Sequence, residues 1–276
     1  MTISIDQYAV IGNPIAHSKS PLIHTSFAKA TSQALEYTRI EGGIGQFAAD
    51  IDAFRARGGL GLNITTPFKL DAFAYATDLS ERAKIAGAVN AMKFENGRAY
   101  ADNFDGISLV RDIVHNLKVT LRGKRILMLG AGGAARGAML PFLQEGPALM
   151  VIANRTVSKA MELIAPYVQS HPARAAGYDQ LASLQFDVVL NATSASLRAE
   201  LPPLPSNVFA PGCLAYELAY GKGLTPFLQF AKTHSVHHLA DGVGMLAEQA
   251  AEAFAWWRGV RPDTQDVIRK ITIALV

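Results

Sequence analysis

A single cysteine, Cys213, stands among 276 residues, so an intrachain disulfide is impossible and a thiolate-rich metal centre is excluded. Half of the residues are hydrophobic, yet no run approaches the ~18 uncharged apolar residues that a membrane-crossing helix needs. The opening MTISIDQYAVIG has no basic segment followed by an apolar stretch and a cleavage site. No secretion signal is therefore expected, and a cytoplasmic location is. A surplus of one charge is missing as well: 26 Lys and Arg face 23 Asp and Glu, a formal net charge of +3. The basic residues form no stripe, so neither nucleic acid nor a membrane surface is an expected partner, while a small anionic ligand is compatible. The seven histidines show no ligand spacing, and no metal site is expected. Repeats and low-complexity linkers are absent.

What is present is alternation of apolar runs with helical spacings. Strands are expected at 5–12, 35–41 and 59–65. Helices are expected after Ser20, with Ser20 as N-cap and Pro21 at the first position, around Phe47, Ile51 and Phe54, and from Pro67 to Ala76 with Thr65 or Thr66 as cap. Asn96-Gly97 between two extended arms signals a type I′ hairpin, and a further helix is expected from Asp105-Gly106 to about Asn116. From Arg122 onward RILMLG, ALMVIAN, FDVVLNAT, GCLAYEL and VHHLAD read as buried strands separated by helices, the pattern of a doubly wound parallel sheet. Helices at 244–257 and 264–275 exceed the needs of a small nucleotide domain and are expected to return to the first unit. The fold class is thus α/β with two domains. Residues 1–105 and 241–276 form a substrate domain with a mixed sheet, and 106–240 form a Rossmann-type domain.

The sequence KRILMLGAGGAARGAML joins a strand to a helix across Gly130, Gly132 and Gly133, with Ala134 in the first helical turn. Glycines allow a tight turn and close approach to a pyrophosphate, and free N–H groups at the helix start hold the anion. The next strand ends in Asn154, Arg155 and Thr156, with Lys159 close behind, where an NAD-dependent protein commonly carries an acid. A carboxylate repels the 2′-phosphate of NADP and a guanidinium grips it, so NADP is the expected cofactor.

Three polar clusters fall where loops should meet: Ser18-Lys19-Ser20; Asn63, Thr65 and Lys69; and Asn90 with Asn103 and Asp105. Such side chains both donate and accept and suit a ligand rich in hydroxyls. Each also has a local reading: Ser20 as a cap, Asn90 as a turn pin, Asp105 as a helix cap, and Lys69 as a solvated lysine at a helix start that disfavours cations. A Lys and an Asp on opposite elements could manage the proton that an alcohol loses as its hydride leaves.

Taken together, GNPIAHSKSP (12–21), NITTPFK (63–69), GAVNA (87–91), DNFDG (102–106), GAGGAARG, NRT (154–156), LNATS (190–194), KGLTPFL (222–228) and DGVGMLAEQA (241–250) resemble the shikimate dehydrogenase family nearly from end to end. The resemblance implies a substrate domain split around an NADP domain, an active site in the cleft, and reversible reduction of 3-dehydroshikimate to shikimate in aromatic amino acid biosynthesis. It implies Lys69 and Asp105 as the catalytic pair. Ser18, Ser20 and Tyr216 would hold the substrate carboxylate, and Asn63, Thr65, Asn90, Asp105 and Gln249 the ring hydroxyls. Thr193 is expected with the cofactor segments, and Gly242 and Met245 near the nicotinamide. The chain is expected to act as a monomer or homodimer.

Three positions depart from the family pattern. Phe104 replaces a Thr beside Asp105, Glu217 stands where Asp commonly follows the tyrosine, and Ala195-Ser196 lacks the glycine common after Asn-Ala-Thr-Ser. They leave open a paralogue acting on quinate, an aminoshikimate or a related hydroxylated cyclic acid, and, more remotely, a non-catalytic NADP-binding sensor.

Overall fold

A computed structural model of the chain describes residues 5–221 and 223–275. Lys222, at the head of the KGLTPFL motif, and the outermost residues of the substrate domain expected from sequence lie outside the described residues. The chain divides into two compact units: residues through Ser108 with Leu246–Ile271, and Leu109–Met245 with the residues after Ile271.

The first unit is organised by the period-two alternation of its first strand, β1 (Asp6–Gly12). Ala9 and Ile11 enter one buried cluster and Tyr8 and Val10 another, because successive side chains of a strand point to opposite faces. The chain continues through α1 (Ser20–Ala30), β2 (Leu35–Glu41), α2 (Phe47–Ala56), β3 (Gly59–Ile64), α3 (Lys69–Tyr75), β4 (Asp78–Leu79), α4 (Glu81–Ala86), β5 (Ala91–Glu95), β6 (Arg98–Asp102) and α5 (Asp105–Arg111). The sheet order is β2-β1-β3-β5-β6-β4. β1 runs parallel to β2 and β3, whereas β5 is antiparallel to both β3 and β6, so the sheet is mixed. Asn96 and Gly97 join β5 to β6 with φ of +52° and +77°, as a type I′ turn requires.

The second unit carries an all-parallel sheet. It is built from β7 (Arg125–Leu129), α6 (Gly133–Gln144), β8 (Leu149–Ala153), α7 (Val157–Ile164), β9 (Ala173–Ala176), β10 (Phe186–Asn191), β11 (Phe209–Glu217), α8 (Pro226–Thr233) and β12 (His238–Asp241), in the order β12-β11-β10-β7-β8-β9. Ile126 and Met128 enter one core and Leu127 and Leu129 the other, which is why these strands read as unbroken apolar runs. α9 (Val243–Arg258) and α10 (Gln265–Ile271) follow. Ala253 and Trp257 of α9 pack in the core of the first unit with Tyr8, Val10 and Tyr37.

Several local expectations are corrected. Ser20 is the first residue of α1 and makes no capping bond; its backbone N–H is 3.3 Å from Ser18 Oγ, because the chain has already turned at Ile15–Ser18. α3 begins at Lys69 rather than Pro67, because Phe68 N–H bonds Thr65 O and closes a separate turn first. The helix after Asp105 changes at Asp112 into a five-residue π-turn, Asp112–Asn116. α10 ends at Ile271, and the following chain diverges so that Leu275 packs on the core of the second unit. Among the described residues no helix is long and apolar enough to cross a membrane.

Candidate active site

In the first unit, the ends of β3, β5 and β6, with α9, bring four expected site residues together. Lys69 opens α3 and Asp105 opens α5, and Lys69 Nζ lies 2.6 Å from Asp105 Oδ2. The position that disfavours a lysine at a helix start favours the aspartate facing it. Asp105 Oδ1 accepts from Asn90 Nδ2 at 2.8 Å, and the same nitrogen lies 3.3 Å from Gln249 Oε1 on α9. Asn90 is oriented from behind by Phe104 N–H, which donates to its Oδ1 at 3.0 Å. Asp105 is held in turn by its own N–H to Asn103 Oδ1 at 3.0 Å, while Asn103 Nδ2 donates to Ala88 O. The lysine side chain is 34% exposed and the aspartate side chain 16%, so the pair is sheltered yet reachable.

Asn63 is buried, with its amide nitrogen 3.4 Å from Asn90 O. Thr65 follows β3 and its methyl sits where a Cβ on Gly12 would stand, at 2.5 Å, so only glycine lets those two loops meet. Ser18 is partly exposed and Ser20 buried. Phe104 is buried at 3%, with Arg82 over its face at 5.4 Å and Trp256 edge-on at 5.8 Å. The departure beside Asp105 is therefore a core substitution. Burying that ring contributes roughly 2–3 kcal/mol, where a buried threonine hydroxyl would need a partner.

In the second unit, a cavity of about 600 Å³ opens at the carboxyl ends of β7, β8 and β10. Gly130, with φ of +101°, turns the chain beneath Ala192 O and Thr193 Cγ2, each 3.1 Å from where a Cβ would stand. Gly132 and Gly133 face open space at the start of α6. The opposite rim is Asn154, Arg155, Thr156 and Lys159, with Asn154 Nδ2 donating to Thr156 O at 2.8 Å. Expected cofactor residues Gly133, Ala134, Gly242 and Met245 do not line this cavity. Gly133 and Ala134 belong to the first turn of α6, and Met245 packs on the core. Gly242 is pressed against Leu218 O, where any Cβ would collide.

Tyr216 faces inward. It is fully buried, and its hydroxyl donates to Asp112 Oδ2 at 2.7 Å inside the second unit. Burial and the Asp112 carboxylate push its pKa well above 10. In this structure the phenol is committed to Asp112. Glu217, also fully buried, accepts from Asn191 Nδ2 at 2.9 Å, Thr225 Oγ1 at 3.0 Å, Ala219 N–H at 3.2 Å and Ser196 Oγ. It thereby ties the loop after β10 to the end of β11. The short helical turn Ala195–Arg198 is closed by Ala199 in the left-handed region, φ +55°.

That turn carries the residues the sequence did not single out. Arg198 and Glu200 line the cavity, paired at 2.9 Å, with Arg198 Nη1 also 3.1 Å from Ser194 Oγ. Tyr178 lines it too, its pKa raised by burial and partly offset by Arg155. Three cationic side chains against one already paired carboxylate fit an anionic ligand, and the open glycine turn fits a dinucleotide pyrophosphate. Among the described residues no group of His, Cys, Asp and Glu could hold a metal ion.

A parallel doubly wound sheet with a glycine turn and cationic rim, in one chain with a unit bearing a Lys–Asp pair, defines a dinucleotide-dependent oxidoreductase. Three family models match successive parts of the chain: the shikimate dehydrogenase substrate binding domain at 10–92, shikimate / quinate 5-dehydrogenase at 109–199, and the shikimate 5'-dehydrogenase C-terminal domain at 242–271. A shikimate dehydrogenase (NADP(+)) of Chromobacterium violaceum is 54% identical over 262 residues, 95% of this chain and 96% of that protein. An Ael1 enzyme from Pseudomonas putida is 59% identical with a TM-score of 0.95, covering 98% of this chain and 100% of that one. Shikimate 5-dehydrogenase from Thermus thermophilus, solved with NADP(H) and shikimate, is 28% identical with a TM-score of 0.84 over 97% of this chain and 100% of that one. The chain belongs to the shikimate dehydrogenase family.

Proposed function

We propose that the protein reversibly reduces 3-dehydroshikimate to shikimate with NADP. The observation that carries this reading is the 2.6 Å contact between Lys69 Nζ and Asp105, with Asn90 on the other carboxylate oxygen. Oxidising the C3 hydroxyl removes a hydride from carbon and a proton from oxygen. Bound NADP supplies the hydride acceptor, and NADPH the donor in reverse. Lys69 stabilises negative charge developing on the oxygen and holds or relays its proton. Asp105 accepts from the substrate hydroxyl and keeps the lysine in place. Ser18 and Ser20 hold the substrate carboxylate, and Asn63, Thr65, Asn90 and Gln249 the remaining hydroxyls.

Arg155 and Lys159 hold the 2′-phosphate of the cofactor, and the start of α6 its pyrophosphate, with Gly242 and Met245 near the nicotinamide. The first unit, residues through Ser108 with 246–271, acts as the substrate domain, and the second, 109–245 with the residues after Ile271, as the cofactor domain. The protein works in the cytoplasm as a monomer or homodimer. The test is NADP+ reduction across shikimate, quinate and aminoshikimate. Fastest turnover per KM with shikimate supports the assignment, preference for another compound moves the substrate, and no reduction with any of them ends the enzymatic reading.

A further inference from the structure

Behind the candidate substrate groups of the first unit lies a buried aromatic stack. His24 of α1 and Tyr37 of β2 lie face to face, with centroids 4.1 Å apart and planes 4° from parallel. Trp257 and Phe254 of α9 complete the packing at 5.3 and 6.2 Å from His24. The polar ends of this stack converge on one atom. Tyr37 Oη donates to Asn63 Oδ1 at 2.7 Å, and His24 Nε2 lies 3.0 Å from the same oxygen.

With its oxygen toward these two groups the amide accepts from both. Turned round, it would need the hydroxyl to accept instead and the His24 proton to move to Nδ1, a buried nitrogen with no hydrogen-bond partner among the described residues. Asn63 Nδ2 is thereby turned toward Asn90 O, at 3.4 Å. Burial lowers the pKa of His24 to about 3, so the ring carries one proton. The Asn63 oxygen requires that proton on Nε2. Nδ1 is left buried with no hydrogen-bond partner among the described residues. A phenylalanine would fill the same stack without an unmatched nitrogen, so packing alone does not account for a histidine here.

We propose that Tyr37 and His24 are positioning residues that fix the Asn63 amide, its oxygen held by them and its nitrogen kept on the side of Asn90, the neighbouring candidate substrate group. The proposal rests on Asn63 being a substrate-binding residue, and its test separates the two. Tyr37→Phe and His24→Phe each remove one donor while keeping the ring, and Asn63→Ala removes the amide.

Each single donor loss is expected to raise KM for shikimate on the order of tenfold, with kcat changed far less. NADP+ binding, followed by cofactor fluorescence, stays at the parent value. In the Asn63→Ala background, Tyr37→Phe is expected to raise KM no further, since there is no amide left to orient. A lowered melting temperature with unchanged KM in both ring variants would make the stack merely structural and overturn the proposal. Equal, additive effects of Tyr37→Phe with and without the amide would overturn it too. An unchanged KM in Asn63→Ala alone would instead remove Asn63 from the substrate site. Should His24→Phe fail to fold, Tyr37→Phe and its combination with Asn63→Ala decide the matter.

Discussion

Asn90 sets the Asp105 carboxylate: its Nδ2 occupies one oxygen at 2.8 Å and leaves the other to Lys69 at 2.6 Å. Asn90→Leu removes that donor and frees the carboxylate to rotate. The expected result is a loss in kcat of roughly tenfold to a hundredfold. Lys69→Ala removes the group that meets the developing alkoxide, and kcat should collapse by at least about a hundredfold with KM changed little. Steady-state kinetics with shikimate checks both; near-normal turnover of the Lys69 variant would exclude it from the chemistry.

Cofactor choice is expected to reside in the rim formed by Arg155 and Lys159, where no free carboxylate stands. Arg155→Asp places a negative charge beside the 2′-phosphate. Affinity for NADP+ should fall far more than affinity for NAD+, read by calorimetric titration of each. Equal losses would move the 2′-phosphate away from Arg155.

His24 makes stability depend on pH in a definite direction. Its pKa is about 3 when folded, against 6.5 for an ordinary histidine. Between those values the unfolded chain binds a proton that the native chain refuses, so stability rises with pH across that window and is lost as pH falls below the upper value. The contribution is about 1.4 kcal/mol per pH unit. Denaturant midpoints from neutral to mildly acidic pH should show this slope, reduced by about one proton in His24→Phe. An identical slope in both proteins would mean that His24 is protonated in the native state.

Ala199 closes the turn that carries Arg198 with φ of +55°, a conformation glycine adopts without strain. Ala199→Gly is therefore expected to relieve about 1 kcal/mol locally, partly offset by the freer unfolded chain. Proteolysis within residues 195–203 should slow or stay level, while the same change at a right-handed helical alanine such as Ala138 destabilises. Faster cleavage at the loop would contradict the strain.

Much of this was legible in the residues. Alternation in β1 and the unbroken runs of β7 and β8 follow from which faces are buried, and Asn96-Gly97 fixed its turn because backbone geometry admits few other pairs. The two-residue β4 and six-residue α4 were not legible, being too short to display a period; Ser80, which accepts from Ala83 N–H, was their one mark. The expectation for Tyr216 came from the family resemblance alone, and the residue pattern around it says more about its packing. Its place two residues from Leu214 in GCLAYEL already put both on the same inward face, as the core shows. Arg198 left no trace in any motif, since its turn is anchored by Glu217 through Ser196, a contact between residues distant in sequence. The convergence of Tyr37 and His24 on Asn63 is likewise a product of three separate elements.

The sheet of the second unit grows from β7 in two opposite directions, toward β8 on one side and β10 on the other. Loops leaving two such neighbours must part company, so a hollow exists there before any side chain is chosen. The scaffold thus separates the problem of having a berth from the problem of choosing its tenant: residues 154–159 and 198–200 can be rewritten for a different nucleotide while the strands that create the berth keep their packing untouched.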